Sequence, residues 1–400
     1  MQSIKYLNLV YCQFILMFVF STSLIVSAQE TNKFDKDLKK YKDLFTFHPN
    51  KKKASQDSTL YPSKFIVAPI VSFSPETSLA FGAGAKYLFK FAGSGDETRT
   101  SNMPMSFRYT LNNQFILFSG FEIFTNQEKW VITGNILFQN LPQLYYGIGR
   151  DTSKENEERF DFFQALVEPI LQKQVLFDHF FVGAGIRYNR IFNVDINKTG
   201  LLDTNRPIGY NGSTSVGAEF AMLYDSRNNI LNANRGWFLE FTHGIYRKSL
   251  GSTQNFELTR FDLRYFLSLS KQKDNYSNIL AFQIKTHFSN GDVPITELAS
   301  FGGDKILRGY RKGRYLERHL IATQVEYRKQ FKNTRWGAVV FVGGGDVGDK
   351  LSSFKLKNIR PNGGFGLRFL LDKEENLNVR ADLGIGNEKA NVYLNLSEAF

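Results

Sequence analysis

Residues 237–246 read WFLEFTHGIY, and apolar side chains alternate with polar or small ones along this stretch. The apolar side chains share one face of an extended chain: Trp237, Leu239, Phe241 and Ile245. The opposite face is polar or small: Glu240, Thr242 and Gly244. The same period of two recurs in NILAFQIKTHF, residues 278–288, and in NGGFGLRFLL, residues 362–371. This pattern predicts β-strands whose two faces meet different surroundings.

The length and composition of these strands place a membrane, and not water, on their apolar side. Candidate strands run for roughly nine to fifteen residues, enough to cross a hydrocarbon core when tilted. The chain holds 39 Phe and 18 Tyr, and no apolar run after Pro62 approaches the roughly 18 residues of a membrane helix. Because a bilayer offers no partners to free strand edges, the sheet must close. The sequence therefore predicts an all-β fold, a transmembrane antiparallel β-barrel.

Sixteen candidate strands follow from this alternation, an even number that is typical of bacterial barrels. Their predicted starts are Phe65, Ser78, Ser101, Gln114, Trp130, Arg159, Phe177, Ser215, Trp237, Phe256, Asn278, Leu320, Trp336, Asn362, Leu377 and Asn391. The predicted barrel occupies residues 63–400.

The segment 1–28 differs in character from everything that follows it. It combines one lysine, a long apolar stretch and the small residues Val26-Ser27-Ala28, which predict a secretory signal peptide cut after Ala28. A membrane anchor is the alternative. The only cysteine, Cys12, lies in this segment, so the exported chain has no disulfide and fits a bacterial envelope. Residues 29–62 are rich in Lys, Asp and Ser, which predicts a mobile periplasmic polar tail.

Charge and motif content argue against several other functions. The net charge of +12 is dispersed along the chain, so no nucleic-acid partner is expected. GGGDVG at residues 343–348 matches a nucleotide-binding pattern, but it opens no predicted helix. No histidine pair has metal-ligand spacing, and no Ser/His pair for a phospholipase can be assembled, although His243 and His287 lie on candidate strands. We expect no enzymatic activity, no cofactor and no metal site.

The stretch GGDKILRGYRKGRY, residues 302–315, lies between the eleventh and twelfth candidate strands. With both termini periplasmic, the connection at residues 289–318 is the sixth extracellular loop. Its charge allows two interpretations. One is a tether that places a single arginine against a buried carboxylate. The other is an exposed loop whose basic residues contact lipopolysaccharide: Arg311, Lys312 and Arg314.

Four stretches, in this order, resemble the bacterial surface antigen superfamily of outer-membrane barrels, which contains BamA, TamA and the two-partner-secretion transporters. They are YDSRNNILNANRGWFLE (224–240), LRGY (307–310), QVEYRKQF (324–331) and VVFVGGGDVGD (339–349). The resemblance covers roughly residues 63–400. It implies a sixth loop that folds into the barrel lumen and carries at its tip the motif Leu307, Arg308, Gly309 and Tyr310.

The resemblance also implies acidic partners for Arg308 on the inner wall of the twelfth and thirteenth strands. Glu326 is expected as the main acceptor, with Asp346 or Asp349 as a secondary one. Gly343 stands where the family has an acid, which is a departure from the pattern.

Two further sites follow from the resemblance. The hairpin between the eighth and ninth strands carries the motif residues Asp225, Arg227, Arg235 and Gly236. For Asp225 and Arg227 we expect an ion pair that stabilises the turn. The final residue, Phe400, resembles the C-terminal aromatic signal of outer-membrane barrels, and we expect it in the last strand facing lipid. Glu398 stands where an apolar residue is usual.

The family resemblance implies a protein of the outer membrane of a Gram-negative bacterium that assists assembly, insertion or translocation of envelope molecules. Its expected partners are outer-membrane lipid and lipopolysaccharide, and a periplasmic protein or client proteins. Relatives that insert or secrete proteins carry periplasmic transport-associated domains before the barrel, whereas this sequence has a short polar tail there. A second hypothesis therefore stays open, a passive pore or structural barrel. A plugged lumen and a weak seam between first and last strands favour the first hypothesis.

Overall fold

The computed structural model describes residues 36, 44–49, 61–95, 98–270, 277–373, 376–387 and 390–400. The predicted signal peptide, 1–28, lies outside these residues, and so does most of the predicted tail, 29–62. A two-residue strand, Thr46–Phe47, is described ahead of the barrel in the sequence. The compact unit that contains the barrel spans His48–Phe400.

Sixteen antiparallel strands, numbered β1 to β16, form a closed barrel. In chain order they are Lys64–Ser74, Ser78–Phe89, Ser101–Thr110, Phe115–Phe124, Trp130–Tyr145, Glu158–Val167 with Ile170–Gln174, Phe180–Asp195, Ser213–Asp225, Gly236–Tyr246, Phe256–Ser268, Asn278–Gly291, His319–Gln330, Trp336–Gly348, Arg360–Asp372, Leu377–Ile385 and Ala390–Leu396. The prediction of a sixteen-stranded all-β barrel is confirmed. The largest error in a predicted start is at β7, which was expected from Phe177 and begins at Phe180.

Strand β6 is the only one of the sixteen described strands that is interrupted, at Glu168 and Pro169. Proline has no N–H to donate to the ladder, so the regular register breaks there and resumes at Ile170. The connections contain a short helix, Leu201–Asn205, and two short strands, Ala299–Phe301 and Tyr315–Glu317. They also contain single 3₁₀ turns: Asn126–Glu128, Lys154–Asn156, Lys248–Leu250, Ile295–Glu297, Leu351–Ser353 and Leu356–Asn358. No helix in the described part of the chain is long and apolar enough to cross a membrane.

The two faces of the strands separate as the alternation predicts. On β12, Gln324, Glu326 and Arg328 are buried, whereas Ile321 and Tyr327 on the opposite face are exposed. On β13 the apolar side chains Val340 and Val342 are each 61% exposed. Polar side chains therefore line the interior, and the apolar side chains form the outer surface that meets lipid.

The barrel closes through a seam that is far shorter than its other strand pairs. The described register of β1 with β16 contains one pair, Phe73 with Leu394. By contrast, β15 and β16 pair from Val379–Leu396 through Ile385–Ala390. Strands β1 and β2 pair from Lys64–Leu88 through Ser74–Ser78. Because each ladder pair adds hydrogen bonds and side-chain contacts, the β1–β16 seam is the weakest junction in the described wall.

Candidate functional site

The connection between β11 and β12, residues 292–318, folds back into the barrel, and we call it the lumen loop. Its two short strands pair with each other from Ala299–Glu317 to Phe301–Tyr315 and form a stem. The motif at the tip is closed off from solvent: Leu307 and Arg308 are 0% exposed and Tyr310 is 1% exposed. The stretch quoted above as a tether or an exposed loop is thus a tether.

Arg308 is held by three acceptors on two strands. Its Nη1 donates to Asp382 Oδ2 on β15 at 2.8 Å, and its Nη2 donates to Gln324 Oε1 on β12 at 3.2 Å. The same Nη2 donates to Glu326, also on β12. The guanidinium carbon lies 3.5 Å from the centre of the Phe341 ring. This geometry uses the planar fork of arginine, because its two terminal nitrogens reach carboxylates on different strands.

The structure corrects the expected secondary acceptor. Asp382 takes that position, and neither Asp346 nor Asp349 contacts Arg308. Asp346 pairs with Arg150 at 3.3 Å and with Arg360 at 3.1 Å. Asp349 is exposed and accepts a hydrogen bond from Ser353, which lowers the pKa of its carboxyl below the ordinary value.

The strand register explains this correction. Glu326 on β12 lies opposite Phe341 on β13, and Asp346 is five residues further along β13. At about 3.3 Å per residue, that offset is roughly 16 Å, beyond the reach of one arginine side chain. Asp346 therefore lies near the rim at which β13 ends, whereas Arg308 reaches the level of Glu326.

Asp382 and Glu326 are the centres of a buried network of arginines. Asp382 accepts from Arg368 Nη1 at 2.5 Å and from Arg380 Nη1 at 2.8 Å, in addition to Arg308. Arg328 Nε donates to Glu326 Oε2 at 2.9 Å. Arg380 also reaches back to Asp304 of the lumen loop at 3.1 Å. The network ties the loop tip to β12, β14 and β15 at once.

Gly309 and Tyr310 place the tip directly against the last strands. Gly309 has φ +107°, a conformation that favours glycine. Its N–H donates to Tyr393 Oη at 3.1 Å and its carbonyl accepts from Asn391 Nδ2 at 2.7 Å. Tyr310 Oη donates to the Pro361 carbonyl at 2.9 Å. The motif therefore contacts β14 and β16 by hydrogen bonds that need a close backbone approach.

Gly309→Ala is expected to destabilise the docked tip. A Cβ at this position would lie 2.5 Å from Gly386 N and Ile385 C, both backbone atoms that cannot move aside cheaply. The left-handed backbone adds a strain of roughly 1–2 kcal/mol for a non-glycine residue. The measurement is the temperature at which the folded barrel is lost on gels. Gly303→Ala is the control, because its Cβ would meet open space although its φ is also positive; equal losses for the two variants would contradict close packing at Gly309.

A second anchor holds the descending limb of the lumen loop, and the sequence analysis missed it. Glu297 accepts from Arg187 Nη1 at 3.0 Å and from Asn189 Nδ2 at 2.7 Å, both on β7. Burial by itself would raise the pKa of Glu297, but the charge of Arg187 and the hydrogen bonds from Arg187 and Asn189 together bring the pKa below its ordinary value. The loop is thus fixed at two buried points on different sides of the lumen.

The hairpin motif between β8 and β9 forms the ion pair that was expected from the sequence. Arg227 Nε and Asp225 Oδ1 are 2.8 Å apart, and Asp225 also meets Arg99 at 3.2 Å. Gly236 has φ +106°, and a Cβ there would lie 2.3 Å from the Ser226 carbonyl oxygen, so the turn requires glycine. Arg235 is exposed. The geometry is that of a stabilised turn.

Connections at the end of the barrel where the lumen loop enters, which the sequence predicts to be the extracellular mouth, are bound to one another. Arg314 is 4% exposed and donates to Thr152 Oγ1 at 3.1 Å and to the Thr152 carbonyl at 3.0 Å. Arg311 pairs with Glu157 at 3.1 Å. Arg150 donates to the Ser353 carbonyl at 3.0 Å. The alternative of an exposed basic loop does not fit Arg314, because its guanidinium joins two loops.

The structure also corrects the position of Phe400. Strand β16 ends at Leu396, and Ser397 turns the chain with φ +65°. Phe400 is 8% exposed and packs inside the barrel wall, with its ring centre 6.1 Å from that of Phe266 on β10. The physical reason is Glu398, whose carboxylate binds Arg368 Nε at 2.7 Å and Asn378 Nδ2 at 2.7 Å and draws the tail inward.

The two histidines singled out in the sequence make hydrogen bonds without a serine. His243 Nδ1 lies 2.9 Å from Thr259 Oγ1, and His287 Nε2 lies 3.1 Å from the Glu297 carbonyl. Within the described ranges, no group of three or more His, Cys, Asp or Glu side chains is placed to hold a metal ion.

The lumen loop and its two anchors lie within the part of the chain that matches a known protein family. The profile of the Omp85 superfamily domain matches residues 180–386, just over half of the chain, from β7 through β15. The match includes the lumen loop, Glu326 and Asp382. No curated protein matches the chain in sequence.

Two solved barrels are similar in fold. BamA from Haemophilus ducreyi, lacking POTRA domains 1–3, aligns with a TM-score of 0.52 at 13% identity over 83% of this chain and 70% of that one. CdiB from Acinetobacter baumannii aligns with a TM-score of 0.53 at 10% identity over 84% of this chain and 59% of that one. This chain thus spans less than two thirds of CdiB.

Proposed function

The chain belongs to the Omp85 superfamily, which confirms the resemblance found in its sequence, and from this premise we propose that it assists insertion or translocation of envelope polypeptides. Its place is the outer membrane of a Gram-negative bacterium, where the exposed apolar wall meets lipid. The observation that carries the proposal is the β1–β16 seam, where the described register contains the single pair Phe73–Leu394. A client strand can pair with the wall there at the smallest cost in existing ladder bonds.

The interior argues against the alternative of a passive pore. Two anchors hold the lumen loop inside the barrel, at Arg308 and at Glu297. Arg314 and Arg150 join loops across the extracellular mouth. A barrel whose lumen is filled by a fixed loop has little continuous water path for solutes, so transport through the lumen is disfavoured.

The partners in this proposal are lipid, lipopolysaccharide, and client or periplasmic polypeptides. The ion pairs of the lumen that are described above hold loops and strands together. The proposal assigns no enzymatic activity, no cofactor and no nucleic-acid partner.

Locking the seam with a disulfide is expected to abolish the function without unfolding the barrel. Phe73 and Leu394 are register partners, and antiparallel partners have Cα separations of about 4.5–5.5 Å, within the range that a disulfide bridges. The only native cysteine is Cys12. In cells whose only copy is the Phe73→Cys, Leu394→Cys variant, oxidation is expected to lower the abundance of client proteins in outer-membrane proteomics, and reduction to restore it.

A matched control links the same Leu394→Cys to β15, the neighbour of β16 on the side away from β1. Ala381 pairs with Leu394 across β15 and β16, so Ala381→Cys with Leu394→Cys links two strands that are already fully laddered. This variant is expected to keep its function when oxidised. Unchanged proteomes in the locked-seam variant, or equal losses in both variants, would refute a role for seam opening.

A further inference from the structure

We propose that the inner-wall site holding Glu398 and Phe400 is a binding site for a polypeptide segment with an acidic residue two positions before an aromatic one. We call it the tail site. In this structure the chain's own residues Ser397–Phe400, the tail, occupy it. The inference rests on the proposed function, because it names the chemistry of the client segment that the barrel receives.

The acidic half of the tail site is defined by two buried donors. Arg368 Nε donates to Glu398 Oε2 and Asn378 Nδ2 donates to Glu398 Oε1, both at 2.7 Å. Arg368 is 3% exposed and Asn378 is 4% exposed. Two donors, one on β14 and one on β15, thus bind the two oxygens of one carboxylate. The bond from Arg368 is charge-assisted, and the pair of donors fixes the orientation of the carboxylate.

The aromatic half is a small apolar pocket beside a cation. Phe400 packs with Ala233, Phe266 and Ala281. The small side chains of the two alanines leave room for its ring. The guanidinium carbon of Arg328 lies 5.0 Å from the centre of the Phe400 ring, and Arg328 Nη2 donates to a main-chain carboxylate oxygen of Phe400 at 2.9 Å. Ring and main chain are therefore recognised together.

The tail is held by side-chain contacts and not by a ladder, which makes it exchangeable. Ser397 turns out of the wall, and its N–H donates to the Asn378 carbonyl at 2.7 Å. This is the one bond between backbone atoms that the described tail makes outside the strands. A segment with the same side chains can replace it without breaking any strand pair.

Vacating the site leaves its arginines with partners, so an empty state is physically reasonable. Arg328 keeps Glu326 at 2.9 Å and Arg368 keeps Asp382 at 2.5 Å. These two carboxylates also hold Arg308, so occupancy of the tail site is electrostatically linked to the lumen loop.

The test uses full-length protein and a variant that ends at Leu396, both purified in detergent. The probe is a fluorescently labelled peptide of residues 395–400, NLSEAF, followed by fluorescence anisotropy. We expect saturable binding to the shortened variant and none to full-length protein, whose site is filled. Binding is expected to disappear with Arg368→Gln in the shortened variant, and with peptides carrying Gln for Glu398 or Ala for Phe400.

A second variant empties the tail site without shortening the chain, so the test does not depend on the folding of the shortened protein. Full-length protein with Glu398→Gln and Phe400→Ala retains the tail but loses both contacts, so it is expected to bind the peptide as well; the folded state of every variant is checked on gels. Folded variants that fail to bind, or binding that is equal in full-length protein or insensitive to Arg368→Gln, would overturn the proposal. Peptide binding without any effect of the seam lock on the proteome would leave the tail site standing and reject the proposed function.

Discussion

Replacing Arg308 with alanine is expected to destabilise the barrel by about 3–5 kcal/mol, the cost typical of removing one partner from a buried ion pair. Arg308 and Glu326 are both 0% exposed, so the carboxylates of Glu326 and Asp382 would lose a buried counter-charge. The same change frees the loop tip. Protease cleavage within residues 302–315 is therefore expected to increase in the detergent-solubilised variant.

The measurement is the temperature at which the folded band is lost on gels, supported by urea titration in detergent. Arg308→Lys is expected to recover only part of the loss, because an ammonium group cannot span Asp382 and Glu326 as the planar fork does. Arg311→Ala is the control. Its pair with Glu157 is more than one-third exposed on both sides, and such pairs contribute at most about 1 kcal/mol. Equal shifts for Arg308→Ala and Arg311→Ala would refute the buried anchor.

Asp382→Asn is expected to be at least as damaging as Arg308→Ala, because Asp382 is the acceptor for three buried arginines. Asparagine keeps the size of the side chain but removes the charge that Arg308, Arg368 and Arg380 share. The expected loss is about 3–5 kcal/mol or more, since uncompensated cations remain in the interior. Glu326→Gln, which faces two arginines, is expected to cost less.

The decisive readout for Asp382 is its coupling to Arg308. Removal of Arg308 also removes one of the three cations that lose their counter-charge in Asp382→Asn. The double variant is therefore expected to lose less stability than the two single losses added together. Asp161→Asn is the control, since its pair with Arg159 is exposed on both partners. Strictly additive losses at Arg308 and Asp382 would show that the two side chains do not act as one unit.

The strand pattern was predictable because it is a local property. Side chains in an extended chain alternate between two faces, so a wall between lipid and a polar lumen leaves a period of two in the sequence. The motif of Leu307 to Tyr310 was recognised through the family resemblance, and the structure adds that Gly309 has the left-handed backbone that favours glycine. The contact of Arg308 with Glu326 joins two stretches that the family resemblance had already linked.

The second acceptor was not predictable in the same way, although a signal was present. Asn378, Arg380 and Asp382 occupy alternate positions of NVRADLGI, residues 378–385, and so mark one polar face of a strand. That parity indicates that the three side chains point into the lumen. It contains no information on the depth to which the lumen loop descends, which selects Asp382 over Asp346.

The sequence by itself determined the class of fold, the number of strands and the residues that face lipid or lumen, and its resemblance to a family identified the motif at the tip of the lumen loop. The first three features depend on alternation and strand length, which are properties of single segments. Only the tertiary structure decided which carboxylates meet Arg308, that Glu297 anchors the loop a second time, that the β1–β16 seam is short, and that Phe400 turns inward. Each of these depends on strand register and on charges from distant segments that must neutralise one another once the closed wall has excluded water.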